Sequence, residues 1–154
     1  MNVTAWRMIK AKHAKDAFSG EGASLAGGRW NSRGNAVVYT ASSASLAVLE
    51  RLVHLESDEI LEAYLLCEVS FSAELVKSVN AADLTPDWRA ASPLPELQQM
   101  GDAWLAGRTS TVLRVPSVIV EFEFNYLLNP AHPDFARIGI GPLVPYRLDP
   151  RLQK

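Results

Sequence analysis

The chain has a single cysteine, Cys67, so no disulfide can form within it and nothing in its thiol usage calls for an oxidising compartment. Long apolar runs are missing as well. Nowhere do about eighteen consecutive apolar residues occur, and the N-terminal "MNVTAWRMIK" lacks the apolar core of a secretory leader, so a cytoplasmic protein without a membrane span is expected. Neither sign of charge dominates: 15 Lys and Arg face 17 Asp and Glu, a net charge of -2. That balance argues against a protein whose main task is gripping nucleic acid through its phosphates, while leaving room for a local basic site. The three histidines, His13, His54 and His132, are scattered without ligand spacing, and Cys67 has no partner thiol, so no metal site is expected. A G-x-G-x-x-G after a strand, a G-x-x-x-x-G-K-[ST] loop and a G-x-S-x-G elbow are all missing. With them go the ordinary dinucleotide fold, the P-loop and the α/β-hydrolase.

What is present is the composition of a folded domain. Hydrophobic residues make up 48% and charged residues 21% of 154 positions, enough for one core, and a single domain over residues 1–154 is expected. "VTAWRMI" reads as a first strand, with Trp6 and Met8 to one side and Arg7 to the other. "AVVYTA" (36–41) and "AYLLCEVSF" (63–71) read as strands, and "SSASLAVLERLVHLES" (42–57) as a helix with Ser42 or Ser43 as N-cap. After a proline-rich middle, "LPELQQMGDAWLAG" reads as a helix ending near Gly107. Alternation then predicts a strand through "VPSVIVEFEFNYLL". Val118, Val120, Phe122 and Phe124 fall on one face, and Ser117, Glu121, Glu123 and Asn125 on the other. Pro116 would mark a strand start, an edge or a bulge. The tail "IGIGPLVPYRLDPRL" has strand character broken by proline. Strands and helices alternate without a βαβ rhythm, which predicts an α+β fold.

The stretch "GASLAGGRWNSRGNAVVYTASSASLAVLE" (22–50) concentrates the chemistry-bearing residues. Arg29 follows two glycines. It could present a fixed guanidinium to a phosphate, with the glycines letting a ligand approach the backbone, or it could be a solvated loop arginine. At about 100° per residue, Leu46, Leu49 and Val53 form an apolar helical stripe with Glu50 at its border. A carboxylate there is costly unless paired. It could pair structurally with Arg7 or Arg29, or it could aim into a pocket. Tyr39 shares a strand face with Val37 and reads either as core with a satisfied hydroxyl or as a stacking platform. Ser117 lies on the polar strand face with Asn125, a face that could simply be solvated.

Together, "WR" near the N-terminus, "GGRWNSRGNAVVYTASSASLAVLE", "VPSVIVEFEFNYLLNP" and "HPDF" resemble the RES domain, the toxin half of bacterial RES–Xre toxin–antitoxin pairs. The family is named for an arginine, a glutamate and a serine, which map by motif to Arg29, Glu50 and Ser117. Arg7 and Tyr39 match family positions too. The resemblance implies a small α+β domain similar to the ADP-ribosyltransferase toxins, with a mixed or antiparallel sheet, flanking helices and an NAD cleft. It implies consumption of NAD as substrate, with no separate cofactor, by hydrolysis, phosphorolysis or transfer of ADP-ribose to a protein. It also implies an Xre-family antitoxin covering the active site, and a toxin homodimer within the complex.

On this resemblance Arg29, Glu50 and Ser117 are the expected catalytic residues. Arg7, Arg29, Tyr39 and Asn125 are the expected NAD-binding residues. Arg7 and Arg29 would hold the pyrophosphate, Tyr39 would meet the nicotinamide or ribose, Glu50 a ribose hydroxyl or the developing positive charge, and Ser117 a ribose hydroxyl or the nicotinamide amide. A nucleotide-binding module without turnover stands as the non-enzymatic alternative, and direct contact with nucleic acid is not expected.

Overall fold

The structure is a computed structural model and describes residues 1–153. Its elements run β1 (Asn2–Lys10), α1 (Glu21–Ala26), β2 (Val38–Ala41), α2 (Ala44–His54), β3 (Tyr64–Ser72), β4 (Val76–Ser78), α3 (Pro95–Gly107), β5 (Val112–Pro116), β6 (Phe124–Leu128) and β7 (Gly139–Tyr146), with short 3-10 turns between them. The strands form one seven-stranded sheet in the order β4-β5-β6-β2-β1-β3-β7. Only β4 and β5 run parallel; every other pairing is antiparallel. This is the mixed-sheet α+β class expected from the residue pattern.

Local chemistry explains most boundaries. The Ser43 hydroxyl accepts from the Leu46 amide at 3.1 Å and caps α2. Pro95 stands in the first turn of α3, where its missing N–H costs nothing. Gly101 in the middle of α3 is demanded by contact, because a Cβ there would sit 1.6 Å from the Trp30 carbonyl oxygen. Leu46 and Ala47 of α2 pack with Met8, Ala41 and Tyr64 of the sheet, and Leu97 and Trp104 of α3 with Val37, Leu113 and Leu127. Ala5, Val38, Cys67, Val69 and Leu128 form the core of the opposite face. No helix among the described residues is long and apolar enough to cross a membrane.

Two expectations fail. The strand expected to continue through residues 117–123 does not form. Instead β5 ends at Pro116, which pairs with Phe124 as the chain folds back. The Ser117 hydroxyl accepts from the amides of Ile119 and Val120, and the Ser117 amide donates to the Glu123 carbonyl, so residues 117–123 close into a loop. The alternation was apparent only: Phe122, assigned to the apolar face, is 84% exposed.

The second failure concerns α2. Leu49 and Val53, read as its buried stripe, are 40% and 62% exposed. Leu46, the third member of that stripe, is buried as expected, Ala47 is buried beside it, and Glu50 and Arg51 turn inward with them. A helix that spends two inward positions on charged residues is giving up packing there, and those residues lie at the sheet's weakest joint. β1 and β2 share a single paired position, Trp6 with Ala41, whereas β1 and β3 pair along nine residues from Asn2 with Ser72 to Lys10 with Tyr64. The sheet therefore splits between β1 and β2, and a cleft of about 900 Å³ opens at the split.

Candidate active site

The cleft lies within the size range of small-molecule sites, about 300–1,000 Å³. Arg7, Arg29, Tyr39, Glu50 and Asn125 all line it. Ser117 does not. It is fully buried, with its hydroxyl oxygen occupied by two backbone amides. The structure thus gathers five of the six expected site residues on one surface and places the sixth in the loop behind, whose Val118 and Ile119 reach the wall.

Arg29 is presented by a tight turn. The Gly28 amide donates to the Asn31 carbonyl at 3.0 Å, leaving Arg29 and Trp30 at the tip. Tyr39 pins this turn: its hydroxyl donates to Asn31 Oδ1 (2.6 Å) and accepts from the Trp30 amide (3.1 Å). From α3, Gln98 donates to the Gly28 carbonyl and Asp102 accepts from the Ser32 amide, both at 2.9 Å. A Cβ at Gly28 would lie 2.8 Å from both the Tyr39 hydroxyl and Asn31 Oδ1, which is why glycine stands before Arg29. Burial pushes the Tyr39 phenol well above its ordinary range, so it stays a neutral hydrogen-bonding group. Its hydroxyl is committed to the turn, and its ring is what the cleft receives.

Arg7 stitches the split. Its Nε donates to the Ala17 carbonyl (2.6 Å) and its Nη1 to the Tyr39 carbonyl across the gap (2.9 Å). Burial, and then the neighbouring Arg51 guanidinium, bring its pKa down to about 10. Arg51 donates to the Met8 carbonyl at 3.1 Å and lies 5.8 Å from the Tyr64 ring centroid. Arg29 donates to the Trp88 carbonyl at 3.2 Å, and burial lowers its pKa. Among the described residues none of these three arginines makes an ion pair with a carboxylate. Three guanidinium groups facing one cleft, none of them bonded to the Asp16, Glu21 or Glu50 carboxyls that also line it, form a surface suited to an anion.

Of the two readings of Glu50, the structural pairing with Arg7 or Arg29 is not made. Glu50 instead accepts from Asn125 Nδ2 at 2.6 Å, and the same amide donates to the Thr40 carbonyl at 3.1 Å. Burial lifts the Glu50 pKa to about 7, the Asn125 hydrogen bond holds it down, and the negative charge of Glu123 adds to the rise. A carboxyl so placed exchanges a proton near neutrality, as a general base requires. Asn125 thus spends its amide on orienting Glu50. Arg51 and Glu123 were not singled out as site residues from the sequence. The signal for Arg51 was its place beside Glu50 on a helix whose inward face had been set one position off. Among the described residues no cluster of three or more His, Cys, Asp or Glu side chains is arranged to hold a metal.

A model of the RES domain matches residues 4–149. The chain belongs to the RES-domain family. RES-family relatives named Toxin Res, from Photorhabdus laumondii subsp. laumondii and Yersinia enterocolitica, are 37% and 34% identical over 150 residues. They cover 97% and 96% of this chain, and 96% and 98% of their own length is matched. A relative from Sphingobium sp. named Prs ADP-ribosylating toxin is 37% identical over 157 residues, 99% of this chain and 98% of its own. A chain in the crystal structure of the M. tuberculosis MbcT–MbcA toxin–antitoxin complex superposes with a TM-score of 0.77 at 21% identity, over 96% of this chain and 85% of that one. At that identity the likeness is one of fold.

Proposed function

We propose that this RES-domain protein is the toxin of a toxin–antitoxin pair and that it consumes NAD by cleaving the bond between nicotinamide and ribose. The observation that carries the reading is the meeting, in one cleft, of arginines that make no ion pair among the described residues and a carboxyl with a pKa of about 7. NAD is the substrate and no separate cofactor is invoked. Arg7 and Arg29, with Arg51 beside Arg7, hold the pyrophosphate, and the Tyr39 ring flanks the nicotinamide or the ribose.

The C1′–N bond breaks with its electron pair passing to the ring nitrogen, so nicotinamide leaves neutral and needs no general acid. Ionised Glu50 stabilises the oxocarbenium-like centre left on C1′. As an acceptor oxygen bonds to C1′, its proton passes to Glu50. Ser117 acts from behind the wall, by folding the 117–123 loop, and Asn125 by orienting Glu50. With water as acceptor the product is free ADP-ribose, and with phosphate it is the ribosyl phosphate.

The partner in this reading is an Xre-family antitoxin that covers the cleft. Leu25 and Val53 at the mouth, 71% and 62% exposed, give it apolar surface to cover, and a dimeric toxin in the cytoplasm completes the proposed assembly. A second reading, transfer of ADP-ribose to a protein side chain, is favoured by the name of the Sphingobium relative. Purified, antitoxin-free protein incubated with NAD, with and without phosphate, and the products separated, decides between them. Nicotinamide release into free products, lost in Glu50→Ala, supports NAD degradation. ADP-ribose found on protein moves the assignment to transfer, and no release in any arm leaves a nucleotide-binding module.

A further inference from the structure

Glu123 occupies the last position of the 117–123 loop, immediately before β6, and two residues before Asn125; Glu123 bonds to the start of α2 and Asn125 to Glu50 within it. Its Oε1 accepts from the Ser43 hydroxyl at 2.6 Å and from the Ser42 hydroxyl at 3.3 Å. Ser43 is the N-cap of α2, and Ser42 Oγ in turn accepts from the Phe124 amide at 3.1 Å. The segment leading into and through β6 therefore grips α2 at two heights: Glu123 holds the N-terminus of the helix and Asn125 meets Glu50 about two turns further on. A carboxylate at a helix N-terminus is also in favourable register with the helix dipole.

Resting on the NAD-cleaving reading above, we propose that Glu123 is a positioning residue of the site: it clamps the helix that carries Glu50 to the strand that carries Asn125, and so fixes the Glu50 carboxylate in the cleft. The Asn125 amide has both its protons committed, to Thr40 and to Glu50, so it cannot follow a helix that shifts. Without the clamp the start of α2 keeps only the bonds between Ser42 and Phe124 to β6, and the 2.6 Å contact to Glu50 further along the helix is the first to loosen.

The test compares Glu123→Ala, which removes the acceptor, with Glu123→Gln, which keeps a side-chain oxygen for Ser43. For nicotinamide release, kcat of Glu123→Ala falls about 10- to 100-fold while KM for NAD stays within about threefold, since misplacement of a reacting group is read in turnover and the arginine grip is untouched. Glu123→Gln restores most of the loss. A second readout needs no activity: the Asn125 side-chain amide protons, assigned by their loss in Asn125→Ser, are separated in wild type by the bond to the carboxylate. They move toward free-amide values in Glu123→Ala and stay in place in Glu123→Gln. Unchanged Asn125 resonances in Glu123→Ala overturn the proposal, as does a kcat loss that glutamine fails to rescue while those resonances stay put. If wild-type protein releases no nicotinamide, the NAD reading falls and the amide resonances still decide the positioning role. Should Glu123→Ala not fold, Ser43→Gly, a tolerated N-cap lacking the hydroxyl, severs the same clamp.

Discussion

At the scale of single residues the site is built at the expense of stability. Glu50 has a folded-state pKa of about 7 against an ordinary 4.5, so ionising it is harder in the fold than in the unfolded chain. Below the ordinary value both states hold the proton and nothing is lost. As pH rises from there to about 7 the unfolded chain releases its proton first, and stability falls; above that the full cost is present. Glu50→Gln keeps an acceptor for Asn125 without the charge. It should melt at the same temperature as wild type at low pH and several degrees higher at pH 8, a gain on the order of 1–3 kcal/mol, while losing turnover. Melting curves across pH check this, and a variant less stable than wild type at pH 8 would show that the carboxylate is not strained. Gly28 makes a second, independent prediction. Gly28→Ala forces a methyl against the Tyr39 hydroxyl and Asn31, tilting the turn that presents Arg29. KM for NAD should rise severalfold with a smaller change in kcat, and equal kinetics would mean that the turn does not set the grip.

At the scale of elements, β1, β2, β3, α2 and α3 were legible within a few residues because alternation, an N-cap serine and an N-terminal proline are local signals. The failures were not local. Residues 117–123 carry a strand's alternation, yet fold back because Ser117 satisfies two amides that a ladder would otherwise need. The inward face of α2 was misjudged because periodicity counts Leu49 and Val53 as core and cannot see that a cleft requires Glu50 and Arg51 there. The motif that points to Ser117 was legible, but its place behind the wall was not. Ser117→Ala takes the side-chain acceptor from the part-buried Ile119 and Val120 amides. It should destabilise the fold by about 1–3 kcal/mol and lower activity in step with the loss of loop order. Full thermal stability with abolished turnover would instead put the Ser117 hydroxyl in contact with substrate.

At the scale of the whole molecule, a chain of net charge -2 brings Arg7, Arg29 and Arg51 together where its sheet comes apart between β1 and β2. Arg7 does two things there, closing the split through two carbonyls and facing the cleft. Lysine has no planar fork with which to bridge both carbonyls, so Arg7→Lys should lower the melting temperature and raise KM for NAD together. A change in one without the other would separate the two roles. The most direct measurement on the NAD reading is the rate of nicotinamide release by wild type and Glu50→Gln from about pH 5 to pH 9. Wild-type kcat/KM should rise with pH and level off above an inflection near 7, where Glu50 takes up its charge, and Glu50→Gln should be inactive throughout. A flat wild-type profile, or release by Glu50→Gln at the wild-type rate, would remove Glu50 from the chemistry and the cleft with it.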